Sequence, residues 1–528
     1  MNRSVVCRIR AVVAVLMTLA AYASAGAADY YVDVNYAGVD GAPFNGYAGA
    51  YKSIVAALSN SSAVAVPSGS SALSPNRIYF APGTYNTAFD TGVSLVNSKS
   101  NIALLGMTGN PDDVVITSTL DAAYNPGSGA LGTTGSSTLQ LRGSNTTAKG
   151  ITFANSTDTP YIVNVTHQTV SPQGNYMTGQ TQTSNSQAVA LKLQGDQQAF
   201  VNCKFLGYQD TLYVDGGRAY FENVLVNGDI DFIFSKGTAV FKNSTINLGG
   251  DHNGGTITAA STDKRTSNGI VFLDSEITGN SVRGNPVIDP FNAANVNGPA
   301  NNNMWLGRPW GWQQAGGDAS TVFINTKMDD SVRAAGWLNW NANELNAANG
   351  KNDGDPKRDT RYAEFNSMDS SGSPLDVSGR VAWSRQLTAD QAADYTVENI
   401  FSPEANFAWF GSGYAGSADP SDPNYSWPAF WGNRNSNNDT SNATVSAVYP
   451  LPGNPSAYSN PQWAVTGAWN PTNQIMAAMA PEPSTCIMLW TGSLIGLVTR
   501  PRAGRQSGES RQILCVRAPH RVQPRENP

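Results

Sequence analysis

The sequence predicts an all-β solenoid whose coil closes every ~20–22 residues, and three observations carry that expectation. Phe200, Phe221 and Phe241 recur at a nearly constant interval, and Asn202, Asn223 and Asn243 repeat it in the settings FVN, FEN and FKN. Short runs rich in β-branched and aromatic residues, such as IYFAPGTY, GITFAN, TAVFKNSTI and GIVFLDSEI, fill residues 76–325 without a useful helical period. The 528 residues include 51 Gly and 29 Pro with only 14% charged, a balance that suits short strands and tight turns. The interval is longer than the usual strand spacing of a sandwich and favours three strands per coil.

The elements follow in order. Residues 1–28 read as a secretory signal peptide: Arg3, Arg8 and Arg10 precede an apolar core at 11–23, with Ala23, Ser24 and Ala25 at the cleavage site. Residues 30–34 alternate like an edge strand, and 51–58 have the pattern of a short helix capping the solenoid's open core. The coils occupy a domain of residues 29–415. Near its end, TADQ at 388–391 opens a short C-terminal helix through Tyr395 with a capping-box pattern. Residues 416–478, rich in Pro, Asn and Ser, read as an extension and linker, loosely structured over 436–475.

In 479–505, Pro481, Glu482 and Pro483 precede a mostly apolar run at 484–499, followed by Arg500, Arg502 and Arg505. This resembles the PEP-CTERM sorting signal of Gram-negative bacteria, which exosortase processes at the membrane. Residues 506–528 form an atypical tail beyond it. The two ends imply a protein secreted by, or held at the surface of, a Gram-negative bacterium, with exosortase-type machinery as a partner and membrane contact through the C-terminal segment. Of Cys7, Cys203, Cys486 and Cys515, only Cys203 falls in the main body, where Phe200, Val201 and Phe205 mark it as a buried small hydrophobe. A net charge of −6 argues against nucleic acid as partner.

The chemistry points to carboxylates. The chain has three histidines, His167, His252 and His520, and no G-x-S-x-G elbow. A serine–histidine triad would have to use His167 or His252, and a lone His in a β-rich body is more often structural. Cys/His metal spacing is absent, so no metal is expected. Asp210 and Asp231 stand one coil apart, which would stack them roughly 4.8 Å from each other on neighbouring rungs. Two such carboxyls do not ionise together cheaply, so one pKa should rise while the other stays low. Arg308 is placed to hold the ionised one by a bidentate contact. Gln187 and Gln209, again one coil apart, would point two amides at a developing oxyanion. Spacing alone leaves a second reading equally open, that of stacked polar side chains on an outer face.

At these residues the chain resembles a family. GYQDTLY (207–213), GDIDFIF (228–234), QAVALK (187–192) and LGRPW (306–310) resemble the signature blocks of pectin methylesterases. PGTY (82–85), TITA (256–259), AGWLNW (335–340) and YAEFN (362–366) support the likeness across 29–395. The resemblance implies a right-handed parallel β-helix that hydrolyses the methyl esters of galacturonan (pectin) to methanol and acidic pectin without metal or cofactor. It implies Asp231 as nucleophile, Asp210 as general acid and then base, Gln187 and Gln209 as oxyanion hole, and Arg308 as the group that orients Asp231. Tyr213, Ile230, Phe234 and Trp310 match positions lining the sugar cleft. A monomer is expected, and replacing Asp231 by Ala should abolish turnover while sparing the fold, because an exposed solenoid face contributes little stability.

Three departures concern cleft detail: Ser235 for the usual Gly, Asn86 and Thr87 where a Glu is common, and Ala260 for Gln. Two other readings compete. Another β-helix polysaccharide enzyme, a pectate lyase or glycoside hydrolase, would show a calcium cluster with a basic proton abstractor, or a different carboxylate separation. A non-catalytic carbohydrate-binding solenoid would have no need of Asp210, Asp231 and Arg308 together.

Overall fold

A computed structural model describes residues 27–87, 92–157, 166–170, 176–181, 187–248, 255–263, 268–279, 304–310, 317–338, 360–381, 384–401 and 468–479. The predicted signal peptide up to residue 26, His252, most of the linker, and the sorting signal and tail beyond 479 lie outside the described residues.

Among the described residues the strands form three long, mainly parallel sheets of fourteen, nine and seven strands. The chain visits them in a fixed cycle. Asn76–Phe80 lies in the first sheet, Gly83–Asn86 in the second and Leu95–Asn97 in the third, and Ile102–Gly106 returns to the first. Repetition of that cycle makes a parallel β-helix, of the right hand that parallel crossover connections take. Among the described residues three short pieces pair antiparallel: Ala42–Phe44 on the rim of the first sheet, Thr262–Asp263 against strand Gly317–Ile324, and a separate ribbon of Thr166–Val170 with Tyr176–Thr181.

The interior explains the repeat seen in the sequence. Phe200, Phe221, Phe241, Phe272 and Phe323 occupy matching positions on successive strands, and their rings stack at centroid distances of 5.2, 4.5, 5.0 and 4.5 Å. Each phenyl is removed from water on every side, and such burial contributes about 1.5–3 kcal/mol per side chain before conformational entropy is set against it. The asparagines mark the corner after each of these strands. Asn202, Asn223 and Asn243 have φ of 50°, 53° and 50°, a left-handed conformation that Asn adopts more readily than most residues. Corner amides bond to one another along the outside: Asn223 donates to Asn202 at 3.4 Å, and at two later corners of the same conformation Asn366 donates to Asn325 at 2.9 Å.

The coil length holds only in the centre. Gln198 pairs with Ala219 and Arg218 with Thr238, one short coil on in each case. Elsewhere Ile102 pairs with Thr146, and Thr146 with Gln198, each more than twice as far along the chain. The strands keep their register, and the extra residues fall between them.

Three other expectations are corrected. Strand Asp29–Val32 is not an edge, since Tyr47–Tyr51 pairs on one side and Asn76–Phe80 on the other. The TADQ helix has its capping box but stops at Ala393, and a second short helix, Val397–Ile400, starts from its own cap at Thr396. The predicted linker ends in an ordered helix, Pro471–Met479. Gln474 of that helix is buried and donates to the carbonyls of Thr146 at 3.1 Å and Gln197 at 3.0 Å, while Trp469 packs on Phe401 at 4.6 Å. At the other end, helix Ile54–Leu58 is capped by Ser53 and turns Ile54, Ala57 and Leu58 into the core, as expected of a cap. Cys203 is buried and free, its thiol pushed up to about 12 by desolvation.

Candidate active site

Every residue proposed for chemistry belongs to the seven-stranded sheet or the turns entering it. Leu191–Leu193, Leu212–Val214, Ile230–Ser235, Thr256–Ala260 and Trp305–Pro309 are consecutive in that sheet. Leu212 pairs with Ile233 and Tyr213 with Phe234, an offset of one coil that brings Asp210 level with Asp231. The Asp210 amide donates to the Ile230 carbonyl at 3.0 Å, and the Ala188 amide to the Gln209 carbonyl at 3.2 Å, which sets Gln187 beside Gln209. Gln187, Gln209, Asp210, Asp231 and Arg308 all line one cleft of about 310 Å³.

The backbone at the two aspartates is irregular. Both are in the left-handed region, Asp210 at φ 64° and Asp231 at φ 51°. Asp231 also lies in a β-bulge, because Ile230 pairs with Thr256 while Ile233 pairs with Thr258, three steps against two. A bulge re-aims a side chain, and each left-handed non-Gly residue costs on the order of 1 kcal/mol that surrounding structure must offset. Two glycines permit the close packing nearby. A Cβ on Gly307 would meet Thr258 Oγ1 at 2.0 Å, and one on Gly228 would meet Phe232 Cβ at 2.2 Å.

Arg308 grips Asp231 as expected: Nε donates to Oδ1 at 2.8 Å, and Nη2 forms the second, shorter contact with Oδ2. Both aspartates are buried, at 8% and 5% exposure, which corrects the expectation of an exposed solenoid face. Burial raises both carboxyl pKa values, so neither stays low. Asp210 is pushed well above the usual range by desolvation and then by the charge of Asp231. Asp231 is raised by desolvation, but the guanidinium works against the rise. The two are nonetheless unlike: the charge of Asp231 pushes Asp210 further up, while Arg308 restrains Asp231, so of the pair Asp210 holds a proton more readily.

Gln209 is buried, and its Oε1 finds no hydrogen-bond partner. A buried amide left so is completed by water, an ion or a ligand, and Gln209 lines the cleft. Which end of the amide carries the donors is an assignment, and its NH2 turned into the cleft would serve an oxyanion.

Among the expected sugar contacts, Tyr213, Phe234 and Trp310 line the cleft. Tyr213 and Phe234 stack at 4.0 Å, and Trp310 meets both edge-on at 6.2 and 5.7 Å. Ile230 is not among the lining side chains, and its contribution is the carbonyl that fixes Asp210. Ala259, the last residue of TITA, also lines the cleft, as do Thr133, Thr134 and Lys236, which no motif contains. A signal for Lys236 exists, since it stands after Asp215 by the same period that relates the two catalytic candidates.

The departures prove local. Ser235 is buried and its hydroxyl donates to the Gly237 carbonyl at 2.7 Å, so no glycine is required there. Ala260 packs in the core and lends its carbonyl to the Trp310 amide at 2.8 Å. Thr87 is buried and donates to the Thr138 carbonyl at 2.8 Å. No cluster of metal-ligating side chains occurs among the described residues.

Comparison with known proteins gives a consistent result. The family model described as Pectinesterase matches residues 46–404. Pectinesterase 31 of Arabidopsis thaliana is 32% identical over 279 residues, covering 53% of this chain and 68% of its own length. Probable pectinesterase/pectinesterase inhibitor 58 of the same plant is 30% identical over 354 residues, 66% of this chain, which spans about half (49%) of that relative. Among solved structures, the pectin methylesterase of Erwinia chrysanthemi matches with a TM-score of 0.49 at 26% identity, over 70% of this chain and 96% of its own. A pectin methylesterase in complex with a hexasaccharide matches at 0.48 and 26%, over 66% and 93%.

Proposed function

Because the chain belongs to the pectinesterase family, we propose that its cleft removes methyl groups from esterified galacturonan by the two-aspartate route. The enzyme is a carboxylic ester hydrolase acting on pectin. The observation that carries the residue roles is the bidentate Arg308–Asp231 pair beside a buried Asp210 whose pKa is raised by desolvation and by the Asp231 charge.

In the first half, an Asp231 carboxylate oxygen attacks the ester carbonyl carbon. The carbonyl oxygen gathers charge, which amide N–H donors of Gln187 and Gln209 stabilise. Collapse breaks the bond to the methoxy oxygen, which takes the proton of Asp210 and leaves as methanol. In the second half, Asp210, now a carboxylate, removes a proton from water while the hydroxide attacks the acyl carbon. Asp231 departs ionised, restored to Arg308. The galacturonic acid releases its own proton to solvent, so one water is consumed and both aspartates return to their starting states.

The test is methanol release from methylated pectin by the purified full chain in the presence of a chelator. Release is expected for the wild type and loss for Asp231→Asn with an unchanged circular dichroism spectrum. Full turnover by that variant would refute the nucleophile assignment.

Export and surface sorting are further proposals that rest on sequence alone, on the basic, apolar and small-residue order of 1–28 and on Pro481–Pro483 with its basic flank. They entail exosortase-type processing at the membrane. Mass spectrometry of the protein recovered from cells would refute them by finding residues 1–28 and 506–528 still attached.

A further inference from the structure

Among the described residues, Trp305–Pro309, the strand that carries Arg308, ends the seven-stranded sheet, so one of its edges has no further strand to pair with. Residues 333–338 meet that edge instead. The Leu306 amide donates to the Gly336 carbonyl at 2.7 Å and the Leu338 amide to the Gly307 carbonyl at 3.0 Å, while the Arg333 amide reaches the Met304 carbonyl at 2.9 Å. These bonds flank Arg308 on its N-terminal side. The segment itself is a turn rather than a regular strand: Gly336 has φ 71°, and its amide donates back to the Arg333 carbonyl at 2.9 Å. A turn in that place needs support from elsewhere.

Arg380 supplies it. Its Nη1 donates to the carbonyls of Arg333 at 3.1 Å and Ala334 at 3.0 Å, and the neighbouring Val381 amide donates to the Ala335 carbonyl at 3.1 Å. The rest of the guanidinium faces Glu364: Nε donates to Oε1 at 2.8 Å and Nη2 to Oε2 at 3.1 Å. Glu364 is wholly buried and the Arg380 side chain nearly so. A buried ion pair adds little net stability over apolar packing, but a rigid fork of donors fixes direction. Glu364 stands on strand Thr360–Phe365 two residues after Tyr362, so both side chains leave the strand on the same side. Tyr362 stacks on Trp337 of the turn at 4.3 Å and lies close enough to Asp231 and Arg308 for both charges to act on its hydroxyl. One strand thus braces the turn and backs the catalytic pair.

We propose that Arg380, held by Glu364, is a positioning residue for Arg308: it clamps residues 333–338 against the edge of strand Trp305–Pro309 and so fixes the reach of the Arg308 fork to Asp231. The inference rests on the esterase reading for the role of Asp231. Around that carboxylate stand Arg308, Asp210, Asp229 and Tyr362, and Arg308 is the cation that holds its pKa down against burial. A slackened fork lets that pKa rise. Asp231 is ionised only above it, so the loss falls on the acid side.

Two variants of the full chain test the clamp from different sides. Arg380→Lys keeps the charge beside Glu364 without the fork. Gly336→Ala keeps both charged groups and sets a Cβ 2.6 Å from Arg380 Cδ. In each, the acid limb of kcat/KM for methanol release should move up by roughly half a pH unit, about a threefold loss on that limb with the plateau nearly kept. Arg218→Lys, taken from a comparable fork to Asp196, is the control, expected to lower the urea midpoint and leave the limb in place. An unmoved limb in Arg380→Lys and Gly336→Ala, failure of both to fold, or an equal shift in the control makes the pair merely structural and overturns the proposal. Nitrogen-15 NMR of arginine-labelled protein reads the grip without turnover. The Arg308 Nε–H, assigned by its loss in Arg308→Lys, should exchange with solvent roughly threefold faster in Arg380→Lys, and unchanged exchange overturns the proposal. Faster exchange in a protein whose wild type releases no methanol would instead defeat the esterase reading and leave the clamp standing.

Discussion

Removing Arg308 tests how the buried Asp231, the proposed nucleophile, is kept ionisable. In Arg308→Ala, Asp231 loses both donors of the fork and remains buried. Taking one partner from a buried pair costs about 3–5 kcal/mol. The Arg308 side chain is 22% exposed, so solvent already screens it and the lower end applies. That cost, about 3 kcal/mol, falls on the stability of the fold and is read in urea, whereas kcat/KM falls near neutral pH because less of Asp231 is ionised. The pH dependence carries the sharper signature. Burial raises the Asp231 pKa and Arg308 lowers it, so the variant's pKa must climb further. Attack needs the ionised form, which is present above the folded pKa and lost as pH falls through it. The acid limb of kcat/KM should therefore move to higher pH, and raising the pH should recover part of the lost rate. Initial rates of methanol release between about pH 5 and 9 measure this. A loss of the same factor at every pH would show that Arg308 acts on the substrate instead, and the account of Asp231 would fail.

Two other outcomes follow from the same description. Asp210 has a folded pKa well above its unfolded one, so its contribution to stability is complete below the unfolded value near 4 and lost as pH rises through the folded value. Asp210→Asn, which also tolerates the left-handed backbone, should be inactive yet more resistant to urea than wild type at neutral pH, with the difference vanishing near pH 4; equal resistance at neutral pH would contradict it. At the exposed corner, Asn223→Ala should lose about 1–2 kcal/mol from the left-handed strain and the hydrogen bond to Asn202, while Asn223→Gly should lose less than half as much. Identical urea midpoints for the two variants would remove the conformational explanation.

The parts of the molecule that are legible in the sequence are those where the chain repeats at constant distance. From Phe200 to Asn243 successive strands follow at an almost even interval, so the column of phenylalanines, the asparagine corners and the alignment of Asp210 with Asp231 can be read directly. Coils more than twice as long, from Ile102 to Thr146 and on to Gln198, hide the same register, because nothing local marks where a strand resumes. The bulge at Asp231 leaves no trace in composition, being a matter of which carbonyl meets which amide. Burial of the aspartates is hidden for a related reason: a polar side chain on a solenoid face reads as exposed until the walls beside it are known. The docking of Gln474 is invisible for want of proximity, since its partner Thr146 lies 328 residues away. Lys236 keeps the period with Asp215, yet a lysine one coil from an aspartate reads as an ordinary surface pair until the cleft beside it is known.

The uneven coils bear on how such an enzyme diversifies. Chain added between rungs leaves the stacking of one strand on the next undisturbed, as the long detour between the paired Thr146 and Gln198 illustrates. Asp210, Asp231 and Arg308 all stand on strands or turns whose register is kept, whereas longer or shorter excursions can be exchanged around them. Selection can thus reshape which polymers are admitted, or how they are threaded, by trading peripheral segments like interchangeable fittings, with no renegotiation of the reaction itself.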